Sequence, residues 1–416
     1  MTNKATLLAQ SGLFPIGPAR LPAPAIINAT TVIARNAASL AKLSGENLAR
    51  TDKGIYDNFI YGGVGTPTTA ALAVTVAALE GANYTVLTPS GQSAIVAVLS
   101  GLLKTGDHIL VADTATFSSK WYLDHVIARS GIAVSYYPPG IGGNISDYIR
   151  PETQAIFMES PGSFTFEVED IPAVVCAAKA QNVLAILDNT WSASTHFDAF
   201  KHGIDIVVLS LTKCHAGPAG VSLGAIATRN HELYARFRNE AALLGLNVSP
   251  DACAHASLAL STLHIRLKHQ AETTLKVLEA LKSRPEILRI FHPSLPRNFG
   301  YNIWKRDFSG FCSMFSISFD GWTKDDVEAL MDCFRVIKIG YGWGGLISLS
   351  SHFEADEWRT VSNSGAQGTC LRLYIGLEDA EDICADLIQA LDHVLRRRHG
   401  SEISVAANRL VPEHTS

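Results

Sequence analysis

The chain has 416 residues, 47% apolar and 18% charged, the balance of a folded globular protein and not of a disordered one. Its 34 basic and 39 acidic residues leave a formal charge of -5, so no basic footprint for nucleic acid exists. The seven cysteines are scattered with no C-x-x-C pair, which argues against a zinc knuckle or a disulfide scaffold and fits reduced thiols in a cytoplasmic protein.

Residues 1–60 show no hydrophobic period and carry Pro15, Pro18, Pro22 and Pro24, so this segment is expected to wrap another surface as an arm. Leu7-Leu8-Ala9 is too short for a signal-peptide core. The most apolar stretch, Tyr84 to Leu103, is interrupted by Pro89, Ser90, Gly91 and Gln92, so no membrane span is expected. From Tyr61 onward short β-rich runs alternate with amphipathic ones. Strands are predicted at 84–87, 108–112, 132–136, 155–158, 183–187 and 206–209, with helices at 91–103, 121–129 and 171–180 between them. Apolar strands with polar loops at their carboxyl ends read as an α/β domain with a mostly parallel sheet, and ligands belong at that edge. The texture turns helical from Glu232 to Leu281. It then mixes strands (314–319, 371–375) with helices, as a smaller C-terminal α+β domain would. The expected division is an arm at 1–60, a large domain at 61–255, the C-terminal domain at 256–400 and a flexible tail at 401–416.

Leu187-Asp188-Asn189-Thr190-Trp191 and Ser210-Leu211-Thr212-Lys213 carry the chemistry. Asp188 ends one apolar strand and Lys213 lies just past the next, which puts both at the carboxyl edge. A structural ion pair is one reading. The other is that Lys213 holds pyridoxal phosphate as a Schiff base while Asp188 pairs with the pyridinium nitrogen. Thr88-Pro89-Ser90-Gly91-Gln92-Ser93 joins a strand to a helix, so the N–H groups of Gly91 and Gln92 open a helix N-terminus suited to phosphate. Ser210 and Thr212 offer two more hydroxyls. The 14 histidines include no H-E-x-x-H, and no metal site is expected.

In order, Y-G-x-x-G-T-P-T (from Tyr61), T-P-S-G-Q-S-A, E-S-P-G-S (from Glu159), D-N-T-W and S-L-T-K resemble the pyridoxal-phosphate enzymes of cysteine and methionine metabolism, the transsulfuration family. The resemblance runs from about Thr30 to Leu395. E-S-P-G-S and the Tyr341-Gly342-Trp343-Gly344-Gly345 loop resemble the cystathionine β-lyases most, and the segment around Arg372 is similar to that family's carboxylate-binding strand. The resemblance implies an aminotransferase type I-like PLP-dependent transferase fold. It implies Lys213 as Schiff-base lysine and proton shuttle, with Asp188 on the ring nitrogen and Gly91, Gln92, Ser210 and Thr212 on the phosphate. Tyr61 would reach the phosphate of a neighbouring subunit, Arg372 would clamp the substrate carboxylate, and Tyr341 and Trp343 would wall the pocket. A homodimer is then the smallest active unit and a homotetramer the expected assembly.

Two positions depart from the family. Gly63 stands where an arginine normally meets the neighbour's phosphate, and Thr116 where a tyrosine stacks on the ring. Phe117 offers stacking if the loop shifts by one residue. His215 reads either as a new acid–base group or as a satisfied loop histidine. The expected activity is α,β-elimination on cystathionine or a related S-substituted cysteine, giving thiol, pyruvate and ammonia. The alternative is γ-elimination or γ-replacement on a homoserine- or methionine-derived amino acid.

Overall fold

A computed structural model describes residues 3–16, 18–45 and 61–409. A seven-stranded sheet carries the site. Its order across the sheet is Tyr84–Thr88, Gly224–Thr228, Ile206–Ser210, Leu184–Asp188, Thr153–Glu159, His108–Ala112 and Ala133–Tyr137. Gly224–Thr228 runs antiparallel to both neighbours; every other pair is parallel.

Alternation along these strands feeds two cores. Leu110, Ile156, Met158, Leu187 and Val207 pack on one face, while Ile109, Val111, Phe157, Ile186 and Ile206 pack on the other. Both faces are thus dry, which is why the strands read as unbroken apolar runs. The helices between them start on local signals. Ser90 caps Gly91–Leu102 in a capping box with Ser93, and Asp170 caps Ile171–Ala180, which has a proline in its first turn.

The predicted strands all form, within two residues at each end. The sequence reading missed Gly224–Thr228, whose small residues give little apolar signal but fit tightly: a Cβ on Gly224 would lie 2.1 Å from the Ser90 carbonyl oxygen. The expected helix at 121–129 starts earlier, at Phe117, and continues as π- and 3-10 turns to Ser130.

The second sheet has five strands, in the order Ile287–Phe291, Met314–Phe319, Thr369–Tyr374, Leu349–Glu354 and Lys338–Ile339. It packs through Phe315, Ile317, Leu371 and Leu373 against Val277, Leu281, Leu387 and Leu391 of the long helices Leu263–Leu281 and Ala380–Arg409. Of the expected arm, the helix Lys4–Ala9 lies on its own chain. Leu8 is buried, Ser11 donates to the Ser257 carbonyl at 2.8 Å and Lys4 pairs with Asp198. The segment 46–60 falls outside the described residues, as does 410–416 of the expected tail. Among the described residues one helical run, Gly62–Glu80, is long and apolar enough to cross a membrane; it buries Leu72, Val76 and Leu79 in the core of the large sheet.

Candidate active site

Each functional strand ends in a polar residue on the same edge of the large sheet: Ser210, Asp188, Glu159 and, just past its strand, Asp113. Asp188, Lys213, Ser210, Gln92 and Arg372 are only partly buried although their strand neighbours are dry, and Lys213 feels the charges of both Asp188 and Arg372.

Lys213 follows its strand in a tight turn, where its N–H bonds to the Ser210 carbonyl at 3.2 Å. Among the described residues no hydrogen-bond acceptor or carboxylate pairs with its Nζ; the amine instead stands 5.5 Å from the centre of the Trp343 ring. Burial and the nearby Arg372 guanidinium pull its pKa below the usual lysine range. Asp188 accepts from the Thr190 N–H at 3.0 Å, and burial raises its pKa. The structural ion pair is therefore not what these two residues form: they face a shared space without bridging it.

Gly91 and Gln92 open their helix with N–H groups that have no acceptor among the described residues, and the Gln92 Oε1 is buried without a partner. A Cβ on Gly91 would lie 2.5 Å from the Ser210 Cβ, so only glycine brings this helix end onto the lysine strand. The Ser210 hydroxyl has no partner among the described residues. Thr212 differs, because its hydroxyl donates to the Leu223 carbonyl at 3.1 Å and accepts from the Leu223 N–H at 3.0 Å. Its proton is engaged in holding the turn.

Arg372 reaches in from the second sheet. Its Nη2 donates to the Tyr341 carbonyl at 2.6 Å, its guanidinium lies 5.8 Å from the Phe164 ring, and burial lowers its pKa to about 10. Among the described residues it has no carboxylate partner, so the rim salt bridge common for strand arginines is absent. Tyr341 contributes that carbonyl and is itself 80% exposed, whereas Trp343 packs against the core of the large sheet. Tyr61 is 54% exposed, and its Cε1 would be 2.5 Å from a Cβ at Gly63. An arginine at position 63 and this tyrosine orientation exclude one another.

Comparison with known proteins agrees with this geometry. Residues 21–392 match the model of the Cys/Met metabolism PLP-dependent enzymes. The chain belongs to that family. It is 35% identical over 88% of its length to the putative cystathionine beta-lyase of Rhizobium johnstonii, covering 89% of that protein. It is 34% identical to the cystathionine beta-lyase MetC of Escherichia coli, over 79% of this chain and 84% of that one. Among solved structures, metB from Corynebacterium glutamicum superposes with a TM-score of 0.85 at 25% identity, covering 95% of this chain and 99% of that one. The protein is a PLP-dependent lyase with the fold expected of the family.

The residues present fit the cofactor. Free N–H groups and a free hydroxyl converge where a phosphate belongs, and an unpaired amine and a carboxylate lie beyond them on the same edge. Gly91→Ala is expected to cost about 1–3 kcal/mol of stability by overpacking the Ser210 strand end, and to weaken PLP binding. Thermal unfolding with and without cofactor checks this; an unchanged Tm in both would contradict the close fit.

Thr116, at the position expected to stack on the ring, offers no aromatic face. Thr116 is held through its backbone N–H, 2.6 Å from the Glu159 Oε2. Phe117 offers no replacement, because its ring packs 4.2 Å from the Trp358 ring and 5.4 Å from that of Trp121. His215 is a packed histidine and no new acid–base group, although its Nδ1 is buried without a partner among the described residues. The ring is fully buried, its Nε2 lies 2.7 Å from the Ser194 hydroxyl, and burial together with Arg266 lowers its pKa to about 3. It cannot take up a proton near neutrality.

The sequence reading passed over Asp113 and Arg359. Asp113 is fully buried. It pairs with Lys120 at 2.7 Å and accepts from the N–H groups of Thr360, Val361 and Ser362. Arg359 pairs with Glu167 at 2.8 Å. Together they strap the connection between the strands Leu349–Glu354 and Thr369–Tyr374 onto the large domain beside the site.

Proposed function

We propose that this lyase cleaves the carbon–sulfur bond of cystathionine or a related S-substituted cysteine by α,β-elimination. With one water consumed, the products are the thiol, pyruvate and ammonia. The observation that carries the reading is an amine without an acceptor lying near a guanidinium without a carboxylate, among the described residues. The relatives named as cystathionine beta-lyases supply the substrate class.

When bound, pyridoxal phosphate supplies the electron sink for the pair left on the substrate Cα. In this reading Lys213 Nζ takes the α-proton, a task suited to an amine whose pKa burial has lowered. Asp188 holds the proton on the ring nitrogen. Gly91, Gln92 and Ser210 hold the phosphate, and Thr212 steadies the turn that carries the lysine. Arg372 grips the α-carboxylate with its planar fork, and Trp343 closes the wall beside the amine. Tyr61, exposed on the surface, reaches the phosphate of a second subunit in a homodimer, two of which form a tetramer. The seven free cysteines suit the reducing cytoplasm.

The γ-chemistry reading keeps the same residues and is favoured by Thr116, which removes the phenol from over the ring. Incubating the PLP-loaded protein with cystathionine separates the two. Pyruvate and thiol in equal amounts are expected. 2-Oxobutyrate in place of pyruvate would establish the γ-reading, and neither product would overturn both.

A further inference from the structure

Glu159 ends the strand next to that of Asp188, and the two residues are register partners in the parallel ladder, in strands about 4.8 Å apart. Its carboxyl is bound at both oxygens. Oε2 accepts from the Thr116 N–H at 2.6 Å, and Oε1 lies 2.7 Å from the Ser163 hydroxyl. The loops that bear these partners are themselves closely joined: the Ser163 N–H donates to the Thr114 carbonyl at 2.9 Å, and a Cβ on Gly162 would lie 2.4 Å from that of Thr114. Glu159 thus sits where the Thr116 loop, the E-S-P-G-S loop and the Asp188 strand meet.

We propose that Glu159 is a positioning residue for the lyase reaction, pinning the Thr116 loop at the edge of the cofactor site and setting the electrostatic surroundings of Asp188. This rests on the lyase reading above. The Thr116 side chain makes no capping bond, so the N–H contact to Glu159 is what ties this residue itself to the neighbouring strand end.

The charge state follows from the surroundings. Burial and the Asp188 carboxylate raise the Glu159 pKa to about 8, against the lowering effect of Ser163, the Thr116 N–H and Arg359. Asp113, at the end of the strand on the other side, has its carboxyl engaged with Lys120 and the N–H groups of residues 360–362. Burial beside Asp188 favours the uncharged carboxyl near neutrality. The Ser163 hydroxyl, which donates to Oε1 here, is equally able to accept from it, so the same contact survives both states. Above pH 8 a second negative charge then appears beside Asp188.

The test uses the PLP-loaded protein without substrate and follows its visible band against pH. In Glu159→Gln the acceptor toward Thr116 is retained and the charge is lost. The midpoint of the band's titration is expected to fall by about 0.5–1 unit, because the carboxylate that favours the protonated form is gone. Turnover at pH 7 should remain within about threefold of wild type, as the replaced carboxyl is already neutral there. Glu159→Ala should show the same shift and, with the loop released, lose about ten- to a hundredfold in kcat with little change in KM. An unmoved midpoint in Glu159→Gln would overturn the electrostatic role, and an unchanged kcat in a folded Glu159→Ala would overturn the positioning role. If Glu159→Ala fails to fold, the Gln variant decides alone, a kcat loss in it as large as the loop release predicts counting against the proposal. The midpoint is read with no substrate present, so failure of the lyase reading would show separately, as wild-type protein that yields no pyruvate.

Discussion

Lys213→Ala is expected to abolish the visible band of the PLP-loaded protein and to reduce turnover of cystathionine by about a thousandfold or more. The expectation comes from what surrounds the amine. Its Nζ has no acceptor among the described residues, and burial and Arg372 hold its pKa down, so at neutral pH it is closer to a free base than a surface lysine is. Arg372, the nearby cation, remains protonated and offers no nucleophile. Because the Lys213 side chain makes no hydrogen bond among the described residues, its removal should leave stability within about 1 kcal/mol of wild type. A variant that loses activity and also unfolds early would point to a structural lysine. A variant that retained the band would place the cofactor on another amine.

Asp113→Ala is expected to be the more damaging change for stability, by about 3–5 kcal/mol. Removal of the carboxyl leaves the Lys120 ammonium buried without its counter-ion, and the N–H groups of Thr360, Val361 and Ser362 lose their common acceptor. Urea unfolding followed by tryptophan fluorescence measures the loss. Trp358, packed on Phe117 inside the strapped segment, reports whether the strap has lifted. The same contact has a pH signature. Burial alone would raise the Asp113 pKa, but Lys120, Ser362 and the backbone N–H groups hold it at about 2, below the 3.8 of an unfolded aspartate. The carboxylate therefore stabilises the fold by about 2 kcal/mol above pH 4, and this contribution is lost as pH falls from 4 to 2. In Asp113→Asn that part of the acid limb should be missing. An asparagine variant with the wild-type profile between pH 4 and 2 would refute the assignment.

The difference between these two residues shows what the sequence could disclose. Asp188 and Lys213 were readable because one ends an apolar strand and the other lies just past the next, at the edge where a parallel sheet holds its ligands. Arg372 came only through resemblance, since an arginine in a mixed strand has no local mark. Asp113 also follows an apolar strand, yet apart from Lys120 its partners lie some 250 positions away, in a segment whose composition says only that it is a loop. Glu159 was visible only as a letter in E-S-P-G-S. Its bond to the Thr116 backbone depends on two loops meeting from neighbouring strands, which no spacing within either loop encodes. His215 shows the converse. Its position beside the lysine suggested chemistry, but burial against Ser194 settled it as part of the packing.

The cofactor floor is drawn from residues 84–228, whereas the carboxylate clamp comes from Arg372 in the second sheet. During synthesis, Thr228 at the end of the floor emerges about 140 residues ahead of Arg372, a delay of roughly 7–29 s at ordinary elongation rates. For that interval the nascent chain holds every strand of the floor but lacks the group that orients a substrate. Cofactor capture can thus precede substrate capture in time, and the enzyme need not meet an amino acid before it is able to hold one in register.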